Sequence, residues 1–120
     1  MKIAITSKGT DLSAEVDPRF GRAAYLLIVD VDTMDVLALD NSVNVNAFKG
    51  AGIQAASTIS ENGADVLLTG FCGPNAFKTL QAAGIKVVQD VKGNVREAVE
   101  AYRDGRLSVS ETHNVEGHWT

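Results

Sequence analysis

The sequence predicts an α/β fold around a five-stranded mixed sheet, and three observations carry that prediction. Asp65-Val66-Leu67-Leu68-Thr69 is a short apolar run between turn residues without the alternation of a half-exposed strand, so it reads as a strand buried on both faces. Gly70-Phe71-Cys72-Gly73 breaks that run, and Pro74 follows at a first helical position, where its fixed φ is already helical and its missing N–H costs nothing. Ala76, Phe77, Leu80 and Ala83 then recur at helical spacing up to Gly84, a stop signal, which completes a strand–turn–helix unit. Upstream, the apolar run 24–31 and the return run Val36-Leu37-Ala38-Leu39 flank a polar Asp32-Thr33-Met34-Asp35 turn and make an antiparallel hairpin, although the turn lacks the usual Asn-Gly or Asp-Gly.

The remaining elements follow in order. Lys2-Ile3-Ala4-Ile5-Thr6 is a β-rich first strand, and residues 7–21 form a long loop of the kind that is uncommon unless it has a function. After the hairpin, residues 41–49 are polar, rich in asparagine and too poor in apolar side chains to pack. A helix over 50–62 comes next, with Ile53, Ala56 and Ile59 turned inward and Gly63 as its stop. Lys86-Val87-Val88-Gln89 is a further short strand, and Asn94 with Glu97 three residues on is a capping box that opens a last helix with Val95, Ala98, Val99 and Tyr102 on its apolar face. Loops with few apolar anchors belong to the least stable parts of a fold, so residues 7–19 and 43–49 are expected to be the most mobile internal segments.

The order βββαβαβα combines a meander with two strand-and-helix units. Right-handed crossovers place the later strands beside the first, which gives sheet order 3-2-1-4-5 with strands 1, 4 and 5 parallel, an RNase H-like arrangement. The chain leaves strand 1 toward one edge and strand 4 toward the other, so a crevice opens beyond their carboxyl ends, where the loop 7–21 and the turn 70–73 meet. A single domain is expected over residues 1–106, followed by a polar tail over 107–120.

Composition excludes several classes of function. Eleven Lys and Arg against 15 Asp and Glu give a net charge of −4, which lacks the basic footprint of a general nucleic-acid binder. One cysteine cannot close an internal disulfide, and no apolar run approaches the roughly 20 residues of a membrane span, so a cytoplasmic protein without membrane attachment is expected. Strand 1 carries no carboxylate, so the usual anchor of two-metal phosphoryl chemistry is missing and nuclease activity is not expected.

Candidate site residues cluster at the crevice. Lys8, Arg19 and Arg22 are a basic island in an acidic chain, and guanidinium groups suit several hydrogen bonds to one anion. Gly70, Phe71, Cys72 and Gly73 lead into a helix N-terminus, whose free N–H groups and dipole favour negative charge and would favour a Cys72 thiolate. Each residue also has a plainer reading. Cys72 would serve equally as a small apolar residue in a tight turn, the arginines as surface charges, and Phe20 and Phe71 as core. His113 and His118 sit in a polar tail without a firm metal-ligand spacing.

Several motifs together carry a family resemblance. Asp17-Pro18-Arg19-Phe20-Gly21-Arg22-Ala23 before a strand ending in Val29-Asp30, Gly50-Ala51-Gly52 opening a helix, the Gly70-Phe71-Cys72-Gly73 turn and the closing Gly117-His118-Trp119 resemble the dinitrogenase iron–molybdenum cofactor biosynthesis family over nearly the whole chain. The resemblance implies a small RNase H-like carrier of a metal–sulfur cluster, of the iron–molybdenum type or, in the orange-protein branch, a molybdenum–copper sulfide. The implied cluster-binding residues are Lys8, Arg19, Phe20, Gly21, Arg22, Gly70, Phe71, Cys72 and Gly73, with Cys72 as the one candidate metal ligand. Many relatives have His before Phe-Gly-Arg, where this chain has Arg19, and that removes a second ligand. Asp17-Pro18-Arg19 reads closer to the orange-protein branch. A non-catalytic monomer or weak dimer that meets cluster-assembly or acceptor proteins is therefore expected. The alternative from another class is a phosphate- or nucleotide-binding regulatory module or small enzyme using the same crevice, although no P-loop lysine, G-x-G-x-x-G or Ser-His-Asp set is present.

Overall fold

The computed structural model describes residues 1–42 and 50–111. The expected mobile segment 43–49, the tail histidines His113 and His118, and the Gly117-His118-Trp119 motif lie outside the described residues. Strands β1 (Lys2–Ser7), β2 (Tyr25–Asp30), β3 (Val36–Asp40), β4 (Val66–Leu68) and β5 (Lys86–Val88) form one sheet in the order β3-β2-β1-β4-β5. The helices are α1 (Ala51–Glu61), α2 (Pro74–Ala82) and α3 (Val95–Arg103). β1 is central, antiparallel to β2 and parallel to β4, with Ile3 opposite Val66 and Ile5 opposite Leu68.

Alternation along the strands splits the core into two layers. Ala4, Leu26, Ile28, Leu67 and Val87 pack with Phe20, Ala55, Ile59, Phe77 and Leu80 on the side of α1 and α2. Ile3, Ile5, Leu27, Val29, Val66 and Leu68 pack with Val95, Ala98 and Val99 of α3 on the other side. Both faces are therefore covered, which is why β4 reads as an unbroken apolar run, and a buried leucine such as Leu67 contributes about 1.5–3 kcal/mol by leaving water. Asn94 caps α3 as expected, its side-chain oxygen accepting from the Glu97 N–H at 2.8 Å.

Two details differ from expectation, and the hairpin turn takes a form that the sequence left open. Ile53 is 42% exposed, and α1 turns Ala51, Gly52, Ala55, Ala56 and Ile59 inward instead, because small residues allow α1 to approach its neighbours closely. The hairpin turn is closed by Asp30, whose carboxylate accepts from the Asp32 N–H at 2.9 Å, and Met34 takes the left-handed conformation at φ 62° in place of a glycine. The loop after β1, finally, does not lack anchors. It doubles back with Ser7 opposite Val16 and the Lys8 N–H donating to the Glu15 carbonyl, and Leu12 and Ala14 accept from the first-turn N–H groups of Arg96 and Val95 while packing against the α3 layer. Such partners are long-range in sequence, so local patterning carries no trace of them. Beyond Arg103 the chain also stays on the body, with Leu107 packed under α3 and the Ser110 N–H donating to the Val87 carbonyl.

Candidate functional site

Parallel β1 and β4 end at the same edge, and the segments that follow them join there. Arg19 lies opposite Phe71 in a parallel bridge, with the Phe20 N–H donating to the Phe71 carbonyl at 3.1 Å and the Phe71 N–H donating to the Pro18 carbonyl. Gly70 is needed for this approach, since a Cβ there would lie 2.6 Å from the Pro18 oxygen. Gly21 plays the same part against α1, where a Cβ would lie 2.5 Å from the Gly52 nitrogen. Residues 18–22 thus lie between the first turn of α1 and the turn at Gly70 and Phe71 that leads into α2.

The lobe is held from within. Asn41, buried at the end of β3, donates through its side-chain amide to the carbonyls of Gly21 at 3.1 Å and Ala23 at 2.8 Å. Asp17, also buried, accepts from the N–H groups of Arg19 at 3.1 Å and Ala24 at 3.3 Å. Neither residue was among the expected site residues. For Asp17 the signal was available, because an Asp two residues before an open N–H closes an Asx turn. For Asn41 nothing local pointed to it.

The nine expected residues separate into three groups. Arg19, with a side chain half exposed, and Phe71, 38% exposed, reach the surface side by side, and Arg22 is half-buried in the same lobe. Phe20, Gly21, Gly70, Cys72 and Gly73 are buried and build the scaffold beneath. Lys8 pairs with Glu15 at 3.5 Å on the doubled-back segment, which joins α3 through a bridge between Glu15 and Asn94, so the expected basic island is divided between two faces of the sheet. Cys72 is fully buried in the layer under α1 and α2, its Sγ 3.8 Å from the Gly73 carbonyl, and burial pushes its thiol up to about 12. Desolvation thus disfavours the thiolate, and of the two readings of Cys72 the burial favours the small apolar core residue. Among the described residues, no group of three or more His, Cys, Asp or Glu side chains is placed to hold a metal ion.

The helix ends give the edge its polarity. No side chain among the described residues caps α1 or α2, and neither has an acidic residue in its first turn, whereas α3 has the Asn94 cap and Glu97. Among the described residues, the positive ends of these two helix dipoles meet no acidic first-turn side chain, on the face that carries Arg19, Arg22 and Phe71. Two arginines beside an exposed aromatic ring put positive charge next to an apolar flank.

Residues 1–105 match the dinitrogenase iron–molybdenum cofactor family. The chain belongs to that family. It is similar to the apo orange protein of Desulfovibrio gigas, with 48% identity, a TM-score of 0.92, and 95% of this chain and 96% of that one covered. It is also similar to a Thermotoga protein described as a NifB protein, at 38% identity and a TM-score of 0.82 over 97% and 98% of the two chains. An uncharacterised protein of Methanocaldococcus jannaschii is 26% identical over 110 residues, 89% of each chain.

Proposed function

We propose that this chain is a non-catalytic carrier of a preassembled, anionic metal–sulfur cluster, bound at the lobe 18–22 and the first turns of α1 and α2. One observation carries the reading, namely that the exposed Arg19 and Phe71 share one edge with the N-termini of α1 and α2, for which no side chain among the described residues forms a cap. A sulfide cluster assembled elsewhere is already fully ligated, so it needs donors, charge and an apolar wall more than it needs replacement ligands. Arg19 and Arg22 supply charge-assisted hydrogen bonds, the helix ends supply N–H groups, and the Phe71 ring covers an apolar side. Cys72 supports the wall from beneath and makes no metal bond. The likeness to the orange protein favours a molybdenum–copper sulfide over the iron–molybdenum type. Cluster-assembly or acceptor proteins are the partners such a carrier would serve.

Titration of the apo protein with tetrathiomolybdate and copper(I), followed by visible absorption, tests this. Arg19→Ala with Arg22→Ala should weaken binding at least tenfold, since each charge-assisted contact contributes about 1.5–3 kcal/mol, while Cys72→Ser should leave it within about twofold. Binding abolished by Cys72→Ser and indifferent to both arginines would replace the clamp with direct ligation. Displacement of the cluster by inorganic phosphate at equal concentration would favour the phosphate-binding alternative.

A further inference from the structure

A buried carboxylate next to a site for anions is electrostatically adverse, so the place of Asp17 calls for a reason. Its side chain is 5% exposed. Its main chain is fixed from both sides, the N–H donating to the Thr6 carbonyl at 2.9 Å and its own carbonyl accepting from Thr6 Oγ1 at 2.6 Å. Thr6 Oγ1 in turn lies 2.9 Å from Thr69 Oγ1, so Asp17 is tied to the ends of both central strands. From this base the carboxylate divides its two oxygens. Oδ2 accepts from the Ala24 N–H at 3.3 Å, while Oδ1 accepts from the Arg19 N–H at 3.1 Å and lies 3.7 Å from Arg19 Nε. One side chain therefore closes the lobe at both ends and meets the guanidinium that projects from it.

We infer that Asp17 is a positioning residue for Arg19, holding its guanidinium at the edge in advance of the ligand, an inference that rests on the reading of this edge as an anion site. An arginine side chain has many rotamers, and ordering one only when the ligand arrives costs affinity. The Arg19 side chain remains 50% exposed while it is held, so a ligand can still reach it. The adverse charge of the carboxylate is offset by this preorganisation and by its two backbone hydrogen bonds.

The two effects of Asp17 have opposite signs, which makes the inference testable. Coulomb's law alone predicts that Asp17→Asn, by removing a neighbouring negative charge, tightens binding of tetrathiomolybdate with copper(I). Positioning predicts that it weakens binding by about threefold to fivefold, the range of a half-exposed ion pair, and adds no further loss in the Arg19→Ala background. Tighter binding, or losses that simply add, would overturn the inference. A second measurement needs no variant and no cluster. In the apo protein, solvent exchange of the Arg19 Nε–H, read by NMR, should be slower than that of the exposed Arg96, and Asp17→Asn should bring the two together. Equal exchange in the unmodified protein would refute positioning even if the cluster binds or Asp17→Asn fails to fold. Slow exchange at Arg19 in a protein that binds no cluster would instead refute the anion site and, with it, the purpose assigned to the contact.

Discussion

The thiol of Cys72 follows directly after the exposed ring of Phe71 in the chain, yet it lies in the core, so of these neighbours only Phe71 is open to solvent. Sequence alone showed a cysteine at a helix N-terminus, where dipole and N–H groups favour the thiolate. It could not show which way a turn residue faces, so a core reading stood beside the thiolate, and burial favours the core. The thiol of the unfolded chain loses its proton near the ordinary 9.0, whereas the folded protein keeps it until about 12. The contribution of this group to stability is therefore complete below 9.0 and is lost as pH rises from 9.0 toward 12. Over that interval the urea midpoint should fall more steeply for the unmodified protein than for Cys72→Ala, and the native thiol should react with Ellman's reagent only as fast as the protein unfolds. Rapid reaction under native conditions would mean that Cys72 is accessible after all. Arg19 and Arg22 stood out as basic residues in an acidic chain, whereas Asp17, one of 15 acidic residues, offered only the Asx-turn spacing to Arg19 and no sign of its contact with Ala24.

Elements were legible wherever one local signal decided them. The spacing of Asn94 and Glu97 marked the start of α3, and the cap accepts its hydrogen bond as that spacing implies. Asn94→Ala should lower stability by about 1 kcal/mol, measured by urea unfolding, because the Glu97 N–H then loses its partner. The lobe 18–22 was legible only as a motif. Its shape comes from contacts with Gly52, Gly70 and Asn41, and none of these follows from helical or strand periodicity. Gly21→Ala tests that shape, since its Cβ would meet the Gly52 backbone, which has no flexible end to yield. A loss of about 1–3 kcal/mol is expected from such overpacking, together with weaker cluster binding because α1 is pushed away from the lobe. An Ala variant as stable as the parent would show that α1 is free to shift. Ile53 was misread for a related reason: its spacing matched an apolar stripe, but close packing around Gly52 and Ala56 rotates the small residues inward.

At the scale of the molecule, topology did most of the predictive work. Handedness of the crossovers and the unbroken apolar run of β4 were enough for the order β3-β2-β1-β4-β5, because a central parallel strand leaves few other arrangements. The same topology brings the N-termini of α1 and α2 to one face of an edge and that of α3 to the other. Among the described residues only the α3 end is capped by a side chain and carries an acidic first turn, so on the proposed reading an anion is expected at the other face although the net charge of the chain is −4. A ligand that binds only the folded protein stabilises it by about 2.7 kcal/mol at a hundredfold excess over its Kd, and the amides it covers exchange more slowly. With tetrathiomolybdate and copper(I), added protection should therefore appear in residues 19–23 and in the first turns of α1 and α2, at Gly52, Ile53, Asn75 and Ala76. It should be absent from Val95, Arg96 and Glu97, which lie on the capped side and whose N–H groups already have acceptors in Ala14, Leu12 and the Asn94 side chain. Protection centred on α3 would move the anion to the opposite face, toward Lys8, and would remove Arg19 and Phe71 from the site.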